Sequence, residues 1–184
     1  MNLFIETSLS DLYFCLFKKN KVIASINKPN LVKKTDAFYE TLNELFKKAN
    51  VSLKDIENIY TTLGPGSFSG ARIGLLFAKT IAQISDKQMY TTATYNLFKV
   101  QNYLQNKDVN NVYIKANKYS VYHISFLPNL ASEIINNDNN FEIFDYSLFE
   151  NNLSLYFQEF KQEKDLETVE LLYLHEPQIG GNKC

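Results

Sequence analysis

Few residues in this chain have types and spacing that could do chemistry, and the first of them is an acid near the start. Glu6, followed by Thr7 and Ser8, closes the apolar run Leu3-Phe-Ile5. A carboxylate beside two hydroxyls at a strand end could act as a general base or face a metal-bound phosphate, and it could equally hydrogen-bond its own loop. The second candidate is Thr61-Thr-Leu-Gly-Pro-Gly-Ser-Phe-Ser-Gly70, a glycine-dense turn between an apolar strand and a helix. Gly64 and Gly66 permit positive φ, Pro65 restrains the backbone between them, and Ser67 or Ser69 is placed to cap the helix after Phe68. Clustered N–H groups at a helix N-terminus are how many anion sites are built, while close packing of backbone on backbone needs the same glycines.

The specific phosphate motifs fail. No lysine follows the last glycine as a Walker A loop requires, and Gly64, Gly66 and Gly70 are spaced too widely for the dinucleotide fingerprint. Neither serine sits in the G-x-S-x-G of a hydrolase elbow. His123 and His175 form no pair with metal-ligand spacing, and Cys15 and Cys184 suggest neither a disulfide framework nor a zinc site. No metal is expected. Tight packing is therefore favoured over phosphate binding at the turn.

Residues 2–6, 11–18 and 21–27 read as three strands, the last two joined by the hairpin turn Lys19-Asn20. From Thr35 or Asp36 as cap, Phe38, Leu42, Leu45, Phe46 and Ala49 mark one stripe of a helix ending near Asn50. Ser52 to Asp55 has the capping-box pattern, and Ile59 to Leu63 forms the strand that enters the turn. The helix of about 70–84 shows a large apolar face (Ile73, Phe77, Ile81, Ile84) and a ridge of small residues, Gly70, Gly74 and Ala78, every four positions. Two helix glycines each cost roughly 1 kcal/mol against alanine, so the ridge calls for a closely packed neighbour, in this chain or another. Beyond it the pattern predicts a strand at 89–92, a helix at 95–104, hairpin strands at 111–116 and 120–126, and a strand at 141–145. A helix at 148–160 and a last strand at 169–174 complete the expectation.

With 184 residues, 45% hydrophobic and 21% charged, the chain has the composition of a soluble globular protein. A formal charge of −1 argues against a broad basic surface for nucleic acid. Neither a leader pattern nor an apolar run of about 18 residues is present, so a cytoplasmic protein with no membrane contact is expected.

The run Gly64-Pro-Gly-Ser-Phe-Ser-Gly-Ala-Arg-Ile-Gly74 closely resembles the TsaB (YeaZ) family of bacterial tRNA threonylcarbamoyladenosine proteins. The likeness extends to Leu3-Phe-Ile-Glu-Thr-Ser8 and to Leu53-Lys-Asp-Ile56, and is weak in the second half, chiefly Val121-Tyr122 and Leu172-Tyr-Leu174. Ser69 stands where that family usually has threonine, Ala71 where it has a larger aliphatic residue, and Glu6 where it has aspartate. The resemblance implies an α/β fold of the actin/Hsp70/sugar-kinase type: a β-β-β-α-β-α lobe over 1–104 and a reduced C-terminal lobe over 105–184. It implies a non-catalytic scaffold that pairs with the catalytic paralogue TsaD, while TsaE supplies an ATPase and TsaC the threonylcarbamoyl-adenylate. It further implies a homodimer when alone, tRNA met only within the complex, and no cofactor beyond ATP or ADP at the partner junction. The paralogue's H-x-x-x-H metal motif would fall where this chain has Lys34 and Phe38. Pairing through the two N-lobe helices would then use Phe38, Leu42, Leu45, Gly70, Gly74 and Ala78, with Glu6, Thr7 and Ser8 as a vestigial nucleotide loop. Two alternatives stay open: a nucleotide-dependent enzyme of that superfamily using Glu6 and Thr7, and a peptidase, for which no nucleophile–base pair or metal triad can be named.

Overall fold

A computed structural model describes residues 1–172 and Leu174. Three strands open the chain: β1 (Asn2–Glu6), β2 (Leu12–Lys18) and β3 (Lys21–Lys28). They lead to helix α1 (Lys34–Ala49), strand β4 (Asn58–Thr62), helix α2 (Phe68–Ser85), strand β5 (Gln88–Thr92) and helix α3 (Thr94–Leu104). This reproduces the expected β-β-β-α-β-α order. Strands β6 (Asn111–Lys115), β7 (Ser120–Ser125) and β8 (Ala131–Asn136) follow, then helices α4 (Tyr146–Asn151) and α5 (Leu153–Tyr156), and strand β9 (Lys161–Glu163). None of the described helices is long and apolar enough to cross a membrane.

The main sheet has the order β3-β2-β1-β4-β5-β9, and β6-β7-β8 form a second, antiparallel sheet. Strands β1, β4 and β5 run parallel, in the register Leu3 to Ile59 and Ile59 to Met89. Alternation along β1 explains the layers, because successive side chains leave opposite faces of a strand. Leu3 and Ile5 join one core with Phe14, Phe38, Leu45 and Phe77, under α1 and α2. Phe4 joins the other with Tyr13, Phe98, Phe149 and Tyr156, under α3, α4 and α5. Since both faces are covered, β1 is apolar from Leu3 to Ile5, between Asn2 and its terminal acid.

The second half departs from expectation. Residues 141–145 form no strand. Instead the Gln101 side chain takes over their backbone: its Nε2 donates to Ile143 O at 3.0 Å, and its Oε1 accepts from Asp145 N at 2.7 Å. Asp145 caps α4 by accepting from Leu148 N at 2.9 Å, and the long helix expected over 148–160 is interrupted at Asn152, whose φ of −130° leaves the helical range, which gives two short helices and a 3-10 turn at Phe157–Glu159. Residues 169–172 are irregular, and Tyr173 of the expected last strand lies outside the described residues. Strands β8 and β9 were not expected. Because β9 pairs with β5 and α4 and α5 pack on β1 and β2, the segment assigned to a C-terminal lobe from residue 105 returns to the first sheet.

Candidate functional site

Glu6 ends β1 fully buried, as do Thr7 (1% exposed) and Ser8. Its Oε1 accepts from Ser8 N at 2.5 Å, Ser8 Oγ at 2.6 Å and Leu9 N at 3.1 Å, and its Oε2 accepts from Thr62 Oγ1 at 2.7 Å. Ser8 Oγ also lies 2.9 Å from Thr94 Oγ1 and 3.1 Å from Thr62 Oγ1, which closes the network. Burial raises the carboxyl pKa, opposed by these hydrogen bonds from Ser8, Thr62 and Leu9. The amides that would greet an anion are thus aimed at the chain's own carboxylate. Lys34 supplies the opposite charge: its Nζ donates to Thr7 O at 2.9 Å and to Leu9 O.

The glycine turn docks on this loop. Gly64 has φ +88°, a left-handed backbone that favours glycine, and the Gly64–Pro65 bond is cis. Ser67 caps α2 by accepting from Gly70 N at 3.3 Å, and its own N–H donates to Ser8 O at 2.6 Å. Gly64 O accepts from Thr94 N at 2.8 Å and Leu63 O from Leu172 N at 2.9 Å, so the turn's polar groups are tied to α3 and to the returning chain. A Cβ on Gly70 would strike Thr7 O, and one on Gly74 would strike Thr7 Oγ1 and sit 3.2 Å from Thr61 Oγ1. Phe68 and Ser69 face outward, with the Arg72 guanidinium 4.3 Å from the Phe68 ring centroid.

The expected pairing surface is corrected. Gly70, Gly74 and Ala78 face β1, β4 and the Glu6 loop of the same chain, and Phe38, Leu42 and Leu45 lie in the core beneath them. Ring centroids of Phe38 and Phe14 are 5.0 Å apart, those of Phe38 and Phe77 5.1 Å. All six are buried by the chain's own sheet, which supplies the close neighbour that the small ridge required. Large apolar residues stand on the opposite, solvent side of these helices: Tyr39 (65% exposed), Leu76 (64%) and Ile84 (74%). Sequence reasoning passed over Leu76, which stands with Arg72, Lys79 and Gln83 along the outward side of α2.

A cleft of about 710 Å³ separates the glycine turn from β7 and β8, lined by Gly66, Phe68, Tyr119, Tyr122, Ile134 and Leu172 among others. The β6–β7 turn at its rim also satisfies itself, since Asn117 Oδ1 accepts from Tyr119 N at 2.7 Å and Ser120 N at 3.0 Å. His123 is held between Glu133 Oε1 at 2.8 Å and Asn111 Oδ1 at 2.9 Å, stacked on Tyr113. Cys15 is buried between the layers, with burial pushing its thiol up to about 12. His175 and Cys184 lie outside the described residues.

Three-layered α/β topology with a parallel centre and glycine-rich β4–α2 turn defines the class, and comparison gives the family. The chain belongs to the family described as TsaD, tRNA N6-adenosine threonylcarbamoyltransferase, whose model matches residues 29–133, and within it to the TsaB/YeaZ proteins. It is 33% identical over 126 residues to the tRNA threonylcarbamoyladenosine biosynthesis protein TsaB of Buchnera aphidicola subsp. Baizongia pistaciae, covering 67% of this chain and 57% of that one. It is 42% identical over 55 residues to the tRNA N6-adenosine threonylcarbamoyltransferase of Rhizobium johnstonii, covering 30% of this chain and 15% of the relative. The matched parts therefore span less than two thirds of either relative. The solved structure of an uncharacterized Pseudomonas aeruginosa protein with similarity to peptidase YEAZ superposes with TM-score 0.65 at 16% identity, over 95% of this chain and 99% of that one, which establishes a shared fold.

Proposed function

We propose that this chain is a non-catalytic scaffold and activator of tRNA threonylcarbamoyladenosine formation that pairs with a catalytic TsaD paralogue. The observation that carries the reading is the closed Glu6 loop: its carboxylate has four donors from its own chain and no exposed edge. A general base must reach a substrate proton, and a phosphate loop must offer free amides. Family membership supports the pathway, and the outward apolar residues of α1 and α2 support pairing through the outer side of those helices. On this reading the chain binds no cofactor of its own, ATP or ADP sits at the partner junction, and TsaE and tRNA are met within the complex. Alone, the same helix faces form a homodimer.

Reconstitution with TsaD, TsaE and TsaC tests it. Glu6→Gln should leave tRNA modification within about twofold, whereas Leu76→Glu should abolish capture of TsaD and modification together. Loss of modification in Glu6→Gln with capture intact would overturn the scaffold reading. The nucleotide-enzyme reading draws on the cleft between the glycine turn and β7–β8 alone; micromolar binding of ATP–Mg with turnover by the isolated chain would establish it instead.

A further inference from the structure

We propose that Lys34 is a built-in cation that latches the Glu6–Leu9 loop shut and so fixes the first turns of α1 and α2 against β1. The sequence gives no cap to α1: Lys33 at its N-cap makes no side-chain hydrogen bond, and neither Thr35 nor Asp36 takes that place. What anchors the helix start is the Lys34 side chain, 6% exposed, which runs inward and donates to two carbonyls that point at one spot, Thr7 O and Leu9 O. The carbonyl between them, Ser8 O, accepts from Ser67 N at the cap of α2. The loop thus alternates its acceptors between the two helices, α1 through an ammonium and α2 through an amide.

An ammonium is buried at a penalty unless hydrogen bonds and a counter-charge offset it. Here the offsetting groups are the two carbonyls, with Glu6 and Asp11 as the acids that favour the charged form; burial acts the other way and lowers the pKa. Gly70 belongs to the same device. A Cβ there would strike Thr7 O and lie 3.2 Å from Lys34 Nζ, so glycine keeps the first turn of α2 clear of the carbonyl that receives the ammonium. An acid and an ammonium therefore fill the loop from either side: Glu6 takes its amides and Lys34 its carbonyls.

Amide hydrogen exchange on the full chain tests the latch, with Lys34→Met keeping the apolar stem and removing the charge. Exchange at Ser8, Leu9 and Ser67 should quicken at least tenfold while β2 and β3 amides hold their wild-type rates. Lys34→Ala should show the same loss, reversed by n-propylammonium, which restores the missing stem and donor, and not by equal tetramethylammonium, which cannot donate. Should Lys34→Ala unfold, the comparison is read as recovery of native circular dichroism by n-propylammonium alone. Wild-type protection in Lys34→Met, or equal effects of the two cations, would overturn the proposal.

Discussion

Gly70→Ala separates the two readings of the small-residue ridge by the sign of one number. In a solvent-facing or partner-facing helix, alanine for glycine stabilises the isolated chain by about 1 kcal/mol, through the helix propensity of a residue with fewer unfolded conformations. In this structure the new methyl meets Thr7 O and lies 3.1 Å from Thr7 C, both backbone, and 3.2 Å from Lys34 Nζ. The side chain can swing aside; the carbonyl cannot move without opening the Glu6 loop. Overpacking of this kind costs about 1–3 kcal/mol, and taking the upper value because the obstacle is backbone leaves a net loss of about 2 kcal/mol after the propensity gain. For a domain of this size that lowers Tm by about 4–8 °C. Urea denaturation of the isolated chain, followed by tyrosine fluorescence and circular dichroism, measures it. A variant as stable as wild type or more so would refute the inward placement of the ridge and restore it as a docking surface.

Other outcomes follow from the same contacts. Glu6→Ala strands the Ser8 and Leu9 amides and two hydroxyls, and should destabilise by about 2–4 kcal/mol on chemical denaturation, since each buried unmet donor costs about 1–3 kcal/mol in part shared through the network. Glu6→Gln keeps an acceptor for Ser8 and Leu9, and its amide can donate to Thr62 Oγ1, so its stability should stay close to wild type. The Glu6 pKa is raised by burial from the ordinary 4.5, so its favourable contribution is complete below about pH 4.5 and is lost as pH rises through the folded-state value. The stability difference between wild type and Glu6→Gln should accordingly move toward the variant as pH rises above about 4.5. In a Cys184→Ser background, Cys15, with its thiol pushed up to about 12 and no exposed surface, should react with a thiol reagent only at the global unfolding rate. Faster labelling would show local opening between the layers.

How much of this was legible in sequence depended on where each segment's partners lie. The first half is written in local signals: the Lys19-Asn20 turn, the Ser52–Asp55 capping box and the apolar stripe of α1 each fix an element from neighbours in sequence, and each element formed. The second half depends on distant groups. Gln101 substitutes for a sheet partner at 143–145, and β9 is a three-residue polar strand recruited by β5 through Thr91 Oγ1 donating to Glu163 Oε1. Nothing in Lys161-Gln-Glu163 announces a strand. At the site, spacing located the small ridge and the acid but left open what they touch. A row of glycines states that something comes close, and a strand-end loop satisfies that requirement as well as a foreign helix does.

The inward placement of the glycines bears on the proposed pairing surface. A helix glycine lowers local stability, so a surface that must stay rigid to meet a partner gains nothing from placing glycines at its outer edge. Placed inward, the same glycines let α2 sit against β1 and the Glu6 loop at backbone distance, which holds its outer residue Leu76 on a fixed frame. Preorganisation of this kind reduces the ordering cost of association without adding a contact. Gly74→Ala, whose methyl meets the Thr7 and Thr61 hydroxyls and no backbone, should therefore weaken capture of TsaD through a shifted α2 while Leu76 itself is unchanged. Pairing measured by titration calorimetry should fall several-fold for Gly74→Ala and be lost for Leu76→Glu, with monomer stability moving in the opposite order. Equal pairing by Gly74→Ala and wild type would mean that the outer face does not depend on the inner one.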